Sequence, residues 1–440
     1  MKHILLLLFI GIAFQSSFSQ ENPGSISGEV RDAVTKQPLP GATVMLVGTK
    51  SGTVANENGY YVIKNIEPGK YVLQASMIGY ESSTNADVTV NPLRNKSIQF
   101  ALSSSAVEMD AVEIQSDYFS KPAENIVSMR TLSPEEIRRS PGSAEDIFRV
   151  MQSMPGVATA GGKSAQLIVR GGSPDENLTL LDNIEIYNPI HFARSGESMG
   201  IISIVNPALL EKVDFLTGGF PAKYGDKMSS VFDMTLQDGN KELYNTDVNA
   251  NIAGFGVMVD GPVSENGSMI FSARRGFFDI LTAIMDRPAA PRYYDAVGKI
   301  TYDLDAKNRV SLVGFYYIDQ IDREGTTKES AGMSKYDYLA RDDYGSALGV
   351  NWRSLFAADA YALTTVSFTG NGWTTRQGTL TNRSLRGEDI LENEYMVKSE
   401  VTYQIHPKLD LKFGGQLKFI DSKNESWLPA DTSRTGIITP

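Results

Sequence analysis

The feature that most constrains this fold is a run of paired β-strand patterns beyond residue 244, joined alternately by short and long connections. Residues 294–303 and 309–317 form one predicted pair, closed by a short turn at 305–308. Two more pairs are predicted: 344–352 with 361–373, and 394–405 with 409–420. An earlier pair joins 248–257 to 269–275, with a predicted turn at Asp260, Gly261 and Pro262. The pattern predicts about eight antiparallel strands.

Two architectures fit these strands. In a soluble sandwich the alternating apolar side chains face inward, whereas in a membrane β-barrel they face lipid and the polar side chains face a wet lumen. The residue pattern alone leaves both open, but the alternation of short and long connections favours the barrel. Aromatic residues on these strands are candidates for the interfacial girdles of a barrel. They are Tyr316, Tyr317, Trp352, Tyr361 and Trp373.

Composition excludes several classes of function. The chain of 440 residues is long enough for two or more domains. Its net charge of −11 disfavours a nucleic-acid partner, because neutralising phosphates needs clustered Lys and Arg. It has no cysteine and three histidines, so thiolate chemistry is excluded and a histidine-based metal site is not expected. We predict no cofactor and no metal.

The N-terminus has the pattern of an export signal. A short apolar block at 4–14 follows Lys2 and His3, and the small residues Ser17 and Ser19 suit cleavage by a signal peptidase. We therefore expect residues 1–19 to be a signal peptide, with an uncleaved anchor as the alternative. The absence of cysteine excludes a lipoprotein. No later apolar run is long enough for a membrane-spanning helix.

Residues 25–102 have short strand patterns separated by turn signals, including Asn58-Gly59 and Pro68-Gly69. Regular strands of this kind predict a small β-sandwich. Its carboxylates at Asp32, Glu57 and Asp87 are interpreted as turn or surface groups rather than a catalytic set.

Residues 123–238 combine short helices with short strands and Gly-rich turns. Ser133 is the N-cap of one predicted helix, and Ser143-Ala144-Glu145-Asp146 starts a second at 147–151. An Asp182-Asn183 turn follows the strand pattern at 178–181. A Gly-rich stretch at 218–225 lacks the Gly-Lys-Ser/Thr of a phosphate-binding loop, so a nucleotide site is not expected.

The order Pro155-Gly156-Val157, Arg170-Gly171, the strand at 178–184 and the Gly-rich turn at 218–225 resembles the plug domain of a TonB-dependent outer-membrane receptor. The preceding sandwich is similar to the carboxypeptidase-regulatory-like domain of Bacteroidota receptors of this family. The expected fold is mostly β: the sandwich at 25–102, a linker at 103–122, an α+β plug at 123–238, and the first part of a transmembrane antiparallel β-barrel at 244–440. We expect the sequence to be truncated within the barrel.

The resemblance also implies functional residues. The apolar island in the linker stands where the family has its TonB box, which pairs as an added strand with the periplasmic TonB C-terminal domain. A plain linker is the alternative. Its residues are Met109, Asp110, Ala111, Val112, Glu113 and Ile114. Arg170 matches an arginine that pairs with carboxylates on the barrel wall, with an exposed strand-end arginine as the alternative.

The loop after residue 185 stands where related receptors touch their ligand. Its candidates for ligand contact are Tyr187, Asn188, His191, Phe192 and Arg194. The same side chains would equally suit a loop packed against the barrel wall, and His191 lacks an identifiable second metal ligand.

The resemblance implies a receptor in the outer membrane that imports a scarce ligand with energy supplied through TonB, and not an enzyme. A siderophore-like iron chelate ranks first among ligands, ahead of other large nutrients; outer-membrane lipid is the other expected partner. The alternative is a non-transporting binding or signalling receptor, or an adhesin. A third possibility, an exported hydrolase, lacks a nucleophile, base and acid that could serve it.

Overall fold

A computed structural model describes residues 23–90, 95–104, 129–140, 146–159, 167–192, 202–251, 254–277, 279, 289–324, 337–379, 386–406 and 409–428. The predicted signal peptide at 1–19, the candidate TonB box at 109–114 and Arg194 lie outside the described residues. No helix among the described residues is long and apolar enough to cross a membrane.

The N-terminal unit contains two four-stranded sheets, in the orders β4-β1-β7, with β8 also on β1, and β3-β2-β5-β6. Ile26, Val44 and Leu73 have no exposed surface and belong to one core cluster. The predicted sandwich is therefore confirmed as an architecture. Its strands are β1 (Gly24–Asp32), β2 (Thr43–Leu46), β3 (Gly52–Val54), β4 (Tyr60–Ile66), β5 (Gly69–Ser76), β6 (Ser83–Val90), β7 (Asn95–Ser97) and β8 (Phe100–Leu102).

Two short helices begin the plug segment, by which we mean residues 129–238. Helix α1 (Pro134–Arg139) starts at a capping box: the Ser133 side chain accepts from the Glu136 N–H, and the Glu136 carboxylate accepts from the Ser133 N–H. Helix α2 (Ile147–Met151) starts where Asp146 accepts from the Arg149 N–H. Both helix starts are as the sequence predicted.

The plug segment is built around a five-stranded mixed sheet in the order β13-β12-β17-β16-β9. Strands β12 and β17 are parallel, and the other pairs are antiparallel. Two short 3-10 helices, Pro174–Glu176 and Pro207–Leu209, precede β12 and β16. The strands are β9 (Met129–Leu132), β10 (Val157–Thr159), β11 (Leu167–Val169), β12 (Asn177–Leu181), β13 (Ile184–Glu185), β14 (Ile190–His191), β15 (Ile202–Ser203), β16 (Leu210–Thr217) and β17 (Ser230–Leu236).

The remaining strands form one antiparallel sheet in which each strand pairs with the next along the chain. We call this sheet the wall. Among the described residues it has nine strands rather than the predicted eight or so. They are β18 (Asn245–Asn251), β19 (Gly254–Ser264), β20 (Gly267–Arg275), β21 (Ala289–Asp303), β22 (Asn308–Glu324), β23 (Asp337–Ala357), β24 (Ala360–Thr379), β25 (Arg386–His406) and β26 (Leu409–Trp427).

The difference in strand count arises at the start of the wall. The sequence predicted one strand through Gly254 and a turn at Asp260, Gly261 and Pro262, which is wrong. The chain reverses before Gly254, whose φ is +158°, and Gly261 and Pro262 pair with β20 inside β19. A register shift between Pro262 and Ser264 accommodates the proline, which cannot donate to the ladder.

The two faces of the wall have opposite polarity. Along β24, Thr365 and Ser367 are buried while Val366 between them is 53% exposed. The face that carries Thr365 packs against the plug segment, since Thr365 accepts from the Asn183 amide. Exposed apolar residues recur on the other face of neighbouring strands: Phe271, Ile300, Leu312, Leu348, Val350 and Val397. Apolar-out and polar-in is the alternation of a membrane barrel, so the wall is barrel-like rather than sandwich-like.

This polarity also corrects the predicted girdles. Tyr316 and Trp352 are about half exposed on the apolar outer face, as a girdle needs. Tyr317 and Trp373 are buried, and Tyr361 lines a cleft beside the plug segment, so their prediction as girdle residues is wrong. Adjacent strand residues such as Tyr316 and Tyr317 face opposite sides and cannot both meet lipid.

Candidate functional site: the interface between plug segment and wall

His191 lies at the centre of a buried charged cluster between the plug segment and the wall. Its ring has no exposed surface, and each ring nitrogen faces a different wall carboxylate. Nδ1 is 2.6 Å from Asp319 Oδ1, and Nε2 is 3.0 Å from Asp295 Oδ2. Strands β21 and β22, which carry these carboxylates, are neighbours in the wall. His191 is therefore packed against the wall, which is one of the two alternatives that the sequence left open. Ligand contact by His191 stays a prediction.

Aromatic rings and a backbone bond fix the orientation of His191. Its ring stacks on Tyr293, with centroids 4.1 Å apart, and meets the edge of Tyr317 at 5.5 Å. The Phe192 N–H donates to the second oxygen of Asp319, at 2.5 Å. Phe192 has a positive φ of 61°, a conformation that costs energy for an aromatic residue and is held here by this bond and by packing on Tyr293. Phe192, also a predicted ligand contact, is 8% exposed.

Arg274 of β20 ties the other strand of the small hairpin to the same cluster. Its guanidinium pairs with Asp295 at 2.9 Å and donates to the Ser203 carbonyl at 2.9 Å. Ser203 is in β15, which pairs with β14 next to His191. The Ser203 N–H in turn donates to Asp146, the cap of α2, at 2.5 Å. Both strands at the base of the predicted ligand loop are thus bound to charged groups.

Burial and charge act in opposite directions at His191. Burial alone would lower its pKa, but the Asp319 and Asp295 carboxylates outweigh burial and raise the pKa above its ordinary value. At Asp146 burial raises the carboxyl pKa, although the N–H groups of Ser203 and Arg149 and the charges of Arg149 and Arg274 oppose it. The cluster therefore favours a protonated histidine.

Tyr187 binds the wall at a second cluster. Its hydroxyl donates to Glu394 Oε2 at 2.8 Å. Nearby, Lys418 of β26 pairs with Glu185 of the plug segment at 2.5 Å, and the Thr369 hydroxyl donates to the Glu185 carbonyl at 3.1 Å. Asn188, the remaining described candidate for ligand contact, is 6% exposed. The ligand-contact prediction for Tyr187 and Asn188 stays a prediction.

The Asp182-Asn183 turn forms a third cluster, which sequence reasoning missed. Both residues have positive φ, 45° and 71°, as the predicted left-handed turn requires. The Asp182 carboxylate lies 3.2 Å from Lys299 of β21. Asn183 donates to Thr365 at 2.7 Å and accepts from Lys398 at 3.0 Å. The residue types predicted the turn, but only the fold shows that it is bound to the wall.

Apolar packing joins the same two parts. One buried cluster contains plug residues such as Ile184 and Phe232 together with wall residues such as Val297 and Phe315. Ile184 approaches Gly349 so closely that a Cβ at Gly349 would lie 2.4 Å from Ile184 Cδ1. A cleft of about 890 Å³ remains between plug residues 221–226 and the inner face of β24–β26.

Comparisons with known proteins agree with this architecture. The CarboxypepD_reg-like domain family matches residues 26–114, and the TonB-dependent Receptor Plug Domain family matches residues 121–230. The plug segment belongs to the plug domain family of TonB-dependent receptors. The chain is 30% identical to the TonB-dependent receptor P39 of Formosa agariphila over 243 residues, which is 54% of this chain and 21% of that protein.

Two further similarities concern proteins of Escherichia coli. The ferrienterobactin receptor is 31% identical over 128 residues, 26% of this chain and 17% of that protein. The crystal structure of the outer membrane transporter YddB aligns with a TM-score of 0.53 at 15% identity, over 67% of this chain and 48% of that chain, and shows the shared fold. The chain thus spans about a fifth of the length of the curated relatives.

The plug residue Arg170 donates a hydrogen bond to another residue of the plug. Its Nη2 donates to Thr217 at 3.2 Å, and a Cβ at Gly218 would lie 2.5 Å from its Nη1. The side chain is exposed. The predicted pairing of Arg170 with carboxylates of the barrel wall stays a prediction, while Asp295 and Asp319 of the wall are bound by His191.

The described residues of the receptor include no group of three or more His, Asp or Glu side chains arranged to hold a metal ion. The interface consists instead of hydrogen bonds, ion pairs and apolar packing. Such an arrangement can hold a plug in place and let it move, and it needs no covalent chemistry.

Proposed function

We propose that this receptor imports a scarce ligand across the outer membrane with energy supplied by TonB, and that it is not an enzyme. The observation that carries the proposal is the burial of the plug against the polar inner face of a wall whose outer face is apolar. A plug in that position blocks the lumen, so import requires that the plug move.

The proposed energy coupling runs through Met109–Ile114, the candidate TonB box. An apolar strand in a polar linker can add to the open sheet edge of TonB. The proposed ligand contacts are Tyr187, Asn188, His191, Phe192 and Arg194. A siderophore-like iron chelate is the preferred ligand, and the similarity to a ferrienterobactin receptor supports that preference. Other large nutrients come second.

The proposal is tested by locking the plug to the wall. The 440 residues of the sequence contain no cysteine, so Ile184→Cys with Gly349→Cys would introduce a single disulfide within them. A Cβ at Gly349 lies 2.9 Å from Ile184 Cγ1, which is close enough for a bridge between the two new side chains. Ile184→Ser with Gly349→Ser is the matched control.

Cells producing the full-length receptor are given radiolabelled ferric enterobactin or a radiolabelled oligosaccharide. We expect TonB-dependent uptake that stops when the cysteine pair is oxidised and returns on reduction, while the serine control transports throughout. Uptake that continues through the oxidised lock would overturn the proposal. Binding without uptake in the reduced protein would instead support the non-transporting receptor or adhesin.

A further inference from the structure

The hairpin β14–β15 is held against the wall on both of its strands. His191 of β14 contacts Asp295 and Asp319, and the carbonyl of Ser203 in β15 accepts from Arg274. Arg274 also pairs with Asp295, so the two attachments share one carboxylate. Whatever loosens this cluster therefore frees both strands of the hairpin from the wall.

The geometry specifies the protonation state of His191. Both ring nitrogens face carboxylate oxygens, at 2.6 Å and 3.0 Å, and a carboxylate can only accept. A neutral imidazole has one N–H, so one of its nitrogens would direct a lone pair at an anion. The imidazolium has two N–H groups and satisfies both carboxylates. With Arg274, it also balances the two negative charges of Asp295 and Asp319.

The other titratable or charged groups around His191 do not substitute for its second proton. Tyr293 and Tyr317 contact the ring through their faces and edges, and phenols stay neutral at neutral pH. Arg274 is always charged and is already bound to Asp295. Asp146 approaches from the plug side, but its oxygens accept from the N–H groups of Ser203 and Arg149. Among these groups, His191 is the one whose second proton both wall carboxylates require.

We propose that the β14–β15 hairpin is a proton-dependent latch, which is held against the wall while His191 is an imidazolium and is released when His191 loses its proton. Loss of the proton leaves a buried carboxylate facing a lone pair, which is strongly unfavourable without water. The raised pKa of His191 means that the docked hairpin favours the protonated ring. The protonated His191 stabilises the docked hairpin fully below the ordinary histidine pKa, and this stabilisation is lost as the pH rises through the raised pKa of His191.

The latch can be tested apart from transport, because hydrogen exchange and histidine protonation report on it whether or not the receptor imports anything. The full-length receptor is purified in detergent, and backbone exchange is followed at about pH 6 and about pH 9, around the histidine range. The reporter is the peptide that contains Phe192, whose N–H donates to Asp319. Strand β12, which has no titratable side chain, is the internal control.

We expect the protection of the Phe192 peptide, corrected for intrinsic exchange, to fall about tenfold for each pH unit above the raised pKa. In His191→Gln, protection is low at both pH values, because a neutral amide carries no positive charge to balance the two buried carboxylates. In Asp319→Asn, the new amide can pair with a neutral imidazole, so the pH dependence is lost while the receptor stays folded. Protection of β12 is unchanged throughout.

A second readout observes the proton itself. Histidine rings are labelled selectively, and the NMR signal missing in His191→Gln belongs to His191. The latch predicts an imidazolium signal at neutral pH. A neutral His191 at neutral pH overturns the latch, as does a pH-dependent loss of protection that persists in His191→Gln.

Discussion

Lys299 of the wall lies 3.2 Å from Asp182 of the plug and 3.0 Å from Asp238, just after the last strand of the plug. The same ammonium donates to the Leu236 carbonyl at 2.9 Å. One buried lysine therefore fixes both the turn at the tip of the β12–β13 hairpin and the segment by which the plug joins the barrel. Asn351 reinforces the contact by donating to the Asp182 carbonyl at 2.8 Å.

Replacing Lys299 should destabilise the seated plug. Lys299→Met leaves the buried Asp182 carboxylate without its cation, which typically costs about 3–5 kcal/mol, while Asp238 keeps its pair with Arg309 at 3.1 Å. Denaturant unfolding of the detergent-solubilised receptor measures the loss. Adding Asp182→Asn should recover part of it, because burial already raises the pKa of Asp182 and favours a neutral group there. An unfolding free energy unchanged in Lys299→Met would show that this ion pair does not hold the plug.

Gly349 should tolerate no side chain while Ile184 is present. Gly349→Ala places a Cβ 2.4 Å from Ile184 Cδ1, and overpacking of this kind costs about 1–3 kcal/mol. Adding Ile184→Ala should remove the clash. Gly415→Ala is the control, since nothing lies within 4 Å of a Cβ there. Equal unfolding free energies for the Gly349 and Gly415 variants would refute the close approach of plug and wall.

Tyr187 should contribute to plug seating through its hydroxyl alone. Tyr187→Phe removes a bond to Glu394, a carboxylate that is 3% exposed, at a cost of about 1.5–3 kcal/mol. Unfolding measurements on Tyr187→Phe and on the double variant with Glu394→Gln isolate the pair. Additive effects of the two substitutions would mean that the two groups are not coupled.

A charged side chain on the outer face of the wall should destabilise the receptor in the membrane. Val366→Arg places a guanidinium in the middle of β24 on the apolar face, where the cost is about 2–4 kcal/mol at the bilayer midplane. We expect less folded receptor in outer-membrane fractions than for Val366→Leu, the matched control. Equal yields of the two variants would place this face away from lipid.

Local sequence signals predicted the elements of this receptor better than their contacts. Ser133 and the Asp182-Asn183 turn act as predicted, because caps and turns depend on a few adjacent residues. The turn assigned to Gly261 and Pro262 is wrong, since strand pairing with β20 overrides the local preference there.

The interface could not be predicted from residue types. The carboxylate partners of His191 are 104 and 128 residues away along the chain, and no spacing rule links them. Lys299 and Gly349 gave no signal either, because their roles arise only when the plug is inside the wall. For His191 the sequence predicted only two alternatives, ligand contact or a loop packed on the wall.

The central claim, coupling to TonB, is tested most directly by binding of the separately produced TonB C-terminal domain to a peptide spanning residues 106–117. A Val112→Pro peptide lacks a backbone donor and should not add as a strand. A Val112→Thr peptide keeps the N–H and the strand propensity. We predict micromolar binding by the native and threonine peptides, abolished by proline. Absence of binding by the native peptide would contradict the TonB box and favour a receptor that does not transport.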